Sequence, residues 1–317
     1  MKKVAIYIET EKGKIKSGSF GMITSIRNSS VELYAIIIND YSEKYREELQ
    51  LYGVQKVLFV TTNNGSANYH PELWSRAAIS SLKYLEIDTL IALTSTKAKT
   101  VLAMIAAKLD APLVLNCLRV DLIKNKAEKI LYSGKTNGTI LLKGKHYIYG
   151  MRKGNIDPEQ NPCQSESLFF ETSETLNKNY HYLGEKSEAT DTVDLSEAEV
   201  IISGGRGMEN QQNFDILKAC AKKMNASVGA SRVAVDSGWV PYAMQVGQTG
   251  VKVNPKVYIA CGLSGSVQHY AGMKTSNIII AINQDPNAAI ISNCDYYIVE
   301  NLFDVVPLLT KKLESKI

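Results

Sequence analysis

The feature that most constrains this chain is the form of its apolar runs. Val31–Ile38 (VELYAIII), Lys56–Val60, Thr89–Leu93 and the run PLVLN opening at Pro112 are short, nearly continuous and rich in Val, Ile and Leu. A stretch of helical character separates each from the next. A strand that is apolar on both sides needs both faces covered. Parallel strands joined by helices achieve this; an open antiparallel sheet leaves one face to water. The pattern therefore predicts an α/β fold with helices on both faces of a parallel sheet.

Around those runs, Val4 to Ile8 predicts a first strand, and residues 17 to 28 and Ser42 to Tyr52 predict helices. A further helix runs from Pro71, a residue suited to a first turn, to about Leu85. Another covers residues 97 to 108. From Cys117 to Thr172 the texture changes to EKILYS, TILLKG, HYIYGM and SLFFET, separated by Gly, Asn and Lys. These pieces predict antiparallel strands or a β-arm at the edge of the first sheet. Glu174 to Asp194 has almost no apolar pattern and is expected to be a linker. Strands AEVIISGG, VYIACG, IIIAIN and YYIVE follow. Helices are expected over 213 to 224, after GLSGS, and from about Leu302 to Leu313. The 317 residues thus divide into two doubly wound α/β domains, 1–190 and 195–317. In such sheets, ligands lie beyond the carboxyl ends of the strands.

Composition removes several classes of function. A hydrophobic fraction of 45% gives a core large enough to need no disulfide or metal staple. A net charge of +4 predicts no nucleic-acid surface and no polybasic membrane patch. Cys117, Cys163, Cys220, Cys261 and Cys294 include no CxxC, and the four histidines are dispersed. That argues against a disulfide framework, an iron–sulfur cluster or a zinc site. The amino terminus MKKVAIYIET is interrupted by Glu9 and reads as a strand rather than a leader. No apolar run approaches the ~20 residues of a membrane span. The expectation is a cytoplasmic protein without stable membrane association.

The glycine-rich turns of the second half carry the chemistry. Ser203-Gly204-Gly205-Arg206-Gly207 follows a strand, so its backbone can approach a phosphate with Arg206 alongside. A tight turn with a solvated arginine explains the segment equally well. Gly262 to His269 (GLSGSVQH) offers glycines and hydroxyls at a strand-to-helix junction, which suits an anion. It fails as a serine nucleophile elbow, because Ser266 stands where the last glycine belongs and His269 is too near Ser264 in sequence. Gln245 to Gly250 (QVGQTG) is a loop whose amides and hydroxyl suit a polar heterocycle, or an ordinary turn. Arg232 is either half of a surface pair with Asp236 or a permanent cation beside an electron-rich ligand. Asn283, at a strand end before Asp-Pro, suits a ribose or ribityl contact, or a turn.

Taken in order, SGGRG, ASRVAVDSGWVP, QVGQTG, YIACGLSGSVQHYAGMK, IIIAINQDPNAAI and DYYIVENLFDVVPLL resemble the C-terminal FAD domain of electron-transfer flavoprotein α subunits. The likeness is nearly segment for segment, from about Val200 to Leu313. The first half resembles that family loosely, through LTSTKAKTVLAMIAAKLDAPLV. The resemblance implies a Rossmann-like FAD-binding domain and an electron carrier rather than a classical enzyme. It implies a heterodimer with a β subunit, and exchange with a flavin dehydrogenase such as the acyl-CoA dehydrogenases of fatty acid oxidation.

The same resemblance implies residue roles. Arg206 reaches the pyrophosphate or ribose side of FAD. Ser231 and Arg232 lie beside the isoalloxazine, and Val246, Gly247, Gln248 and Thr249 wrap it. Ser264, Gly265, Ser266, Val267, Gln268 and His269 hold the diphosphate and ribityl chain, with His269 near the pyrimidine carbonyl. Asn283 contacts the adenosine end. Asn301, next to Leu302, stands where the family commonly has an aspartate. Two alternatives remain at this point. One is an electron-bifurcating relative that works with NADH and ferredoxin or flavodoxin. The other is a non-redox nucleotide-binding module.

Overall fold

The computed structural model describes residues 1–63, 69–132, 136–154, 156–176, 179, 183, 195–196 and 198–314. The chain divides into two compact units, Met1–Lys186 and Ser187–Ile317. Most of the expected linker, Glu174 to Asp194, lies outside the described residues.

The first unit carries strands β1 (Lys2–Tyr7), β2 (Thr10–Glu11), β3 (Lys14–Ile15), β4 (Val31–Ile38), β5 (Lys56–Thr62), β6 (Thr89–Leu93), β7 (Leu113–Asp121), β8 (Lys126–Leu131), β9 (Thr136–Leu141), β10 (Tyr147–Met151) and β11 (Glu166–Thr172). Its helices are α1 (Gly18–Ile26), α2 (Glu43–Gln50), α3 (Pro71–Leu85) and α4 (Thr96–Leu109). Nine strands form one sheet in the order β11-β5-β4-β1-β6-β10-β7-β8-β9. Consecutive residues of one strand feed opposite layers. Leu33, Ala35 and Ile37 of β4 pack with Met22 and Ile23 of α1 and with Tyr45 and Leu49 of α2. Tyr34, Ile36 and Ile38 pack with Ala78 and Leu82 of α3 and with Val101 and Ile105 of α4. That two-sided burial is why the run VELYAIII is apolar but for Glu32. The β2–β3 hairpin turns through Lys12 and Gly13, both with positive φ, as a two-residue hairpin requires.

Two of the four β-prone pieces lie elsewhere than expected. EKIL and TIL do form the antiparallel pair β8–β9 at one edge. HYIYGM does not: β10 is a central strand, parallel to β6 on one side and β7 on the other. Ile148, Tyr149 and Met151 are fully buried there. Gly150 lets Thr94 and Leu115 close over the strand, since a Cβ would stand 2.6 Å from Thr94 Oγ1. SLFFET is β11, parallel to β5 at the opposite edge. Leu168 and Phe170 face the α3–α4 layer.

The second unit is a five-stranded, wholly parallel sheet with helices on both faces. It comprises β12 (Val200–Gly204), α5 (Phe214–Met224), β13 (Ser227–Ala230), α6 (Arg232–Asp236), β14 (Val257–Cys261), α7 (Val267–Met273), β15 (Ile278–Ile282), β16 (Tyr296–Ile298) and α8 (Leu302–Glu314). The strand order is β13-β12-β14-β15-β16, the doubly wound order 2-1-3-4-5. Ile202, Ile259 and Ile282 pack against Phe214 and Leu217 of α5 and Leu302 and Val306 of α8. Ile201, Tyr258 and Ala281 pack against Met273 of α7 and Leu263. The order reverses between β12 and β14, so the turns leaving those two strands diverge and a crevice opens between them.

Candidate functional site

That crevice is a cleft of about 880 Å³ at the carboxyl ends of the strands, within the range of cofactor sites. Glycines build its floor. Gly205 N–H donates to Cys261 O and Gly207 N–H to Gly262 O. A Cβ on Gly205 would stand 2.3 Å from Gly262 O, so the two turns touch through backbone alone. Gly262 and Gly265 take φ of 60° and 80°, a region that side chains disfavour. A Cβ on Gly265 would lie 2.4 Å from Ile290 N. The turn from Gly262 to Ser266 is therefore an open strip of backbone, with Ser264 and Ser266 exposed.

The loop Gln245–Val251 forms one wall. Val251 N–H donates to Gln245 O at 2.7 Å, Val246 N–H to Ala230 O at 2.9 Å, and Gln248 N–H to Gln268 O at 2.8 Å. Gln245 is 3% exposed and its Nε2 donates to Thr249 Oγ1. Tyr242 holds the Thr249 carbonyl at 2.6 Å. A backbone closed this way presents Gly247, Gln248 and Thr249 in one fixed arrangement.

Fifteen of the sixteen residues singled out from the sequence line this cleft; Val267 does not, standing 56% exposed at the start of α7. Three of them also make side-chain contacts within the protein. Arg232 does pair with Asp236, Nε to Oδ2 at 3.1 Å, with both side chains largely exposed at the rim. Asn283 Nδ2 donates to Leu263 O, and its Oδ1 accepts from Asp285 N. Its amide therefore ties two turns together, with one donor and one acceptor position to spare. Asn301 Oδ1 accepts from Phe303 N and caps α8.

Sequence reasoning missed Glu300, Glu209, Asp285 and Tyr258. The first three line the cleft. With Asp236 they set four carboxylates against the two guanidiniums of Arg206 and Arg232, so the side-chain charge of the lining does not by itself favour an anion. Only a contact map finds Tyr258. It is fully buried in β14, and its hydroxyl lies 2.9 Å from His269 Nε2. His269 is 5% exposed, and burial holds its pKa down to about 4, so the ring is neutral at pH 7. The Nδ1 atom is enclosed with no hydrogen-bond partner among the described residues. With Nε2 held by Tyr258, His269 is not placed to serve Ser264 as a base. Burial also raises the thiols of Cys220 and Cys261, as expected of inert cysteines. Cys294 directly follows the short helical turn Ile291–Asn293. Among the described residues, no group of three or more His, Cys, Asp or Glu side chains is arranged to hold a metal ion. No described helix is long and apolar enough to cross a membrane.

A parallel sheet with a glycine-floored cleft at its switch point defines a nucleotide-cofactor binding protein. The particular kind follows from comparison with known proteins. Residues 4–172 match the electron transfer flavoprotein domain and residues 194–274 the electron transfer flavoprotein FAD-binding domain. The chain is 32% identical over 319 residues to the electron transfer flavoprotein subunit alpha of Bacillus subtilis, covering 99% of this chain and 98% of that one. It is 37% identical over 259 residues to that of Pseudomonas aeruginosa, covering 82% of each. It is 31% identical to the probable mitochondrial subunit alpha of Caenorhabditis elegans, over 97% of this chain and 92% of that one. The chain belongs to the electron transfer flavoprotein α-subunit family, and its cofactor is FAD. Its role is electron transfer, which sets aside the non-redox module.

The cleft fits that cofactor on its own evidence. It has the volume, a floor that side chains would fill, and an enclosed imidazole nitrogen lacking a partner. Gly265→Ala should therefore lose FAD. The left-handed φ alone costs roughly 1–2 kcal/mol for a side chain, and the new methyl must also push Ile290 away. Gly238→Ala is the control: its φ is 73°, but nothing lies within 4 Å of the added Cβ. It should keep FAD and lose only the conformational term. Flavin content after gel filtration, with thermal unfolding, checks both.

Proposed function

We propose that the chain is the FAD-bearing subunit of a heterodimeric carrier that also contains a β subunit. The carrier takes electrons from flavin dehydrogenases such as acyl-CoA dehydrogenases and passes them to a downstream acceptor. The observation that supports this most is the gathering of the family's FAD segments around one cleft whose floor is bare backbone.

FAD, when bound, supplies the one- and two-electron chemistry. The protein's own residues bind and tune it. The backbone N–H groups of the Gly262–Ser266 turn, with Arg206 on the opposite lip, suit the diphosphate. Glu300 and Asn301 suit the ribose, so a carboxylate is available one residue before the family's usual position. Ser231, Arg232, Gly247, Gln248 and Thr249 suit the isoalloxazine side. Arg232 brings a permanent positive charge there, while His269 contributes a neutral dipole. No proton need be abstracted from a substrate, and the cleft's carboxylates stand on its exposed rim.

The test is co-expression with the partner subunit, followed by an absorption spectrum and a count of FAD per heterodimer. A yellow heterodimer with one FAD, reduced by a substrate-loaded acyl-CoA dehydrogenase, is the expected result. Two flavins with NADH-driven ferredoxin reduction would replace the simple carrier by the bifurcating one. An FAD-saturated, well-behaved monomer in sedimentation would overturn the heterodimer.

A further inference from the structure

Tyr258 and His269 are eleven residues apart, on β14 and α7, and meet in the interior beside the cleft. Their rings cross at 62° with centroids 6.1 Å apart. Burial keeps both uncharged at pH 7: it lowers the imidazole and raises the phenol well above the usual range. The hydrogen bond between them therefore has two arrangements. Either the ring donates from Nε2 and leaves Nδ1 bare, or the phenol donates and leaves the ring's proton on Nδ1.

The surroundings select the second. Nδ1 is enclosed, and no donor among the described residues reaches it. The Val246 backbone acts on the ring in the direction that favours a proton, the effect of a carbonyl. The N–H of Val246 is already spent on Ala230 O. A bare Nδ1 would be disfavoured by that backbone, whereas Nδ1–H is favoured by it without being hydrogen-bonded to it. Ser203 also acts on the phenol, in the direction opposite to burial, but its hydroxyl has no hydrogen-bond partner among the described residues. With Nε2 at 2.9 Å, that ring nitrogen is where the phenol's own proton goes.

We propose that Tyr258 is a positioning residue for His269: the phenol donates to Nε2, holds the imidazole proton on Nδ1, and so leaves one fixed N–H donor at the wall of the flavin cleft. This rests on the reading of the cleft as the flavin site. Inside the protein that donor lacks a properly placed partner, and an unpaired buried donor is costly. An acceptor on the flavin completes it. A ring free to exchange tautomers would offer donor and lone pair by turns; the Tyr258 bond removes that choice.

The experiment uses the FAD-loaded complex with its partner subunit, with 15N-labelled histidine, and His269 assigned by its disappearance in His269→Gln. Long-range 1H–15N correlation should show a pyrrole-type Nδ1 and a pyridine-type Nε2. In Tyr258→Phe, which removes only the oxygen, the two shifts should move towards a common average, and the flavin's potential should become more negative. A protonated Nε2 in the unaltered protein overturns the proposal, and so does an unchanged Nδ1–H tautomer in Tyr258→Phe. If that variant fails to retain FAD, the spectrum of the unaltered protein still decides. Removing FAD separates the two readings. Ring shifts that ignore FAD but still depend on Tyr258 would uphold the positioning and sink the placement of the flavin.

Discussion

Arg232→Ala is expected to lower the flavin's reduction potential with FAD still bound, and Asp236→Ala to raise it. The guanidinium and carboxylate form an ion pair at the rim of the cleft. Removing the cation disfavours negative charge on the reduced ring; removing the anion frees the cation to act. Both side chains are more than half exposed, and exposed pairs are worth about 0–1 kcal/mol. For a two-electron couple roughly 30 mV corresponds to 1.4 kcal/mol. The expected shifts are therefore about 10–20 mV, of opposite sign. FAD stays because its diphosphate is held by the Gly262–Ser266 backbone. Reductive titration against a reference dye reads both variants. A purely structural role for the pair would move both the same way, and two unchanged potentials would place neither charge beside the ring.

The second large effect is on acid stability. In the unfolded chain His269 takes a proton near its ordinary pKa of 6.5; in the fold it does so only at about 4. Between those values the unfolded state binds more protons. Stability therefore rises with pH across the window and is lost as pH falls through it. At ~1.4 kcal/mol per unit, the loss from this one ring is on the order of 3 kcal/mol between pH 7 and pH 4. Denaturant melts at several pH values should show that slope in the apo-protein. In His269→Gln, which does not titrate, the slope across this window should flatten. An equal slope in both proteins would mean that His269 is not held neutral by burial.

What was legible in the sequence followed from burial on both faces. Val31–Ile38 and Thr89–Leu93 announce themselves as strands because every residue but Glu32 and Thr89 serves one layer or the other. Pro71 marks the start of α3 because a missing N–H costs nothing there. β13 was not foreseen, since its four residues, SVGA, are small and carry no apolar run. HYIYGM was read as an edge piece because periodicity reports which faces are covered and says nothing about which strands lie alongside. Most of the site was legible because cofactor segments are contiguous turns. Glu300 and Tyr258 were not. Glu300 was overshadowed by its neighbour, and the Tyr258–His269 bond joins a strand to a helix across tertiary distance. Asn283 and Asn301 show the complementary gap: a residue type suited to a ribose is equally suited to capping and turns.

The placement of β10 has a consequence for synthesis on the ribosome. β6 and β7 are joined by α4 in sequence, yet they stand two strand spacings apart, about 10 Å, with the slot between them filled by a strand that emerges some thirty residues after β7 begins. Until Tyr147–Met151 leave the exit tunnel, the nascent sheet exists as two separate halves, β5-β4-β1-β6 and β7-β8-β9. Each has a bare inner edge. Such edges are sticky templates for foreign strands. Closing the gap is a late, long-range pairing, the slow kind of folding event. At five to twenty residues a second, the slot stays open for seconds, long enough for a chaperone to occupy it. The waiting time is built into the order of the strands, independent of how stable the finished sheet becomes.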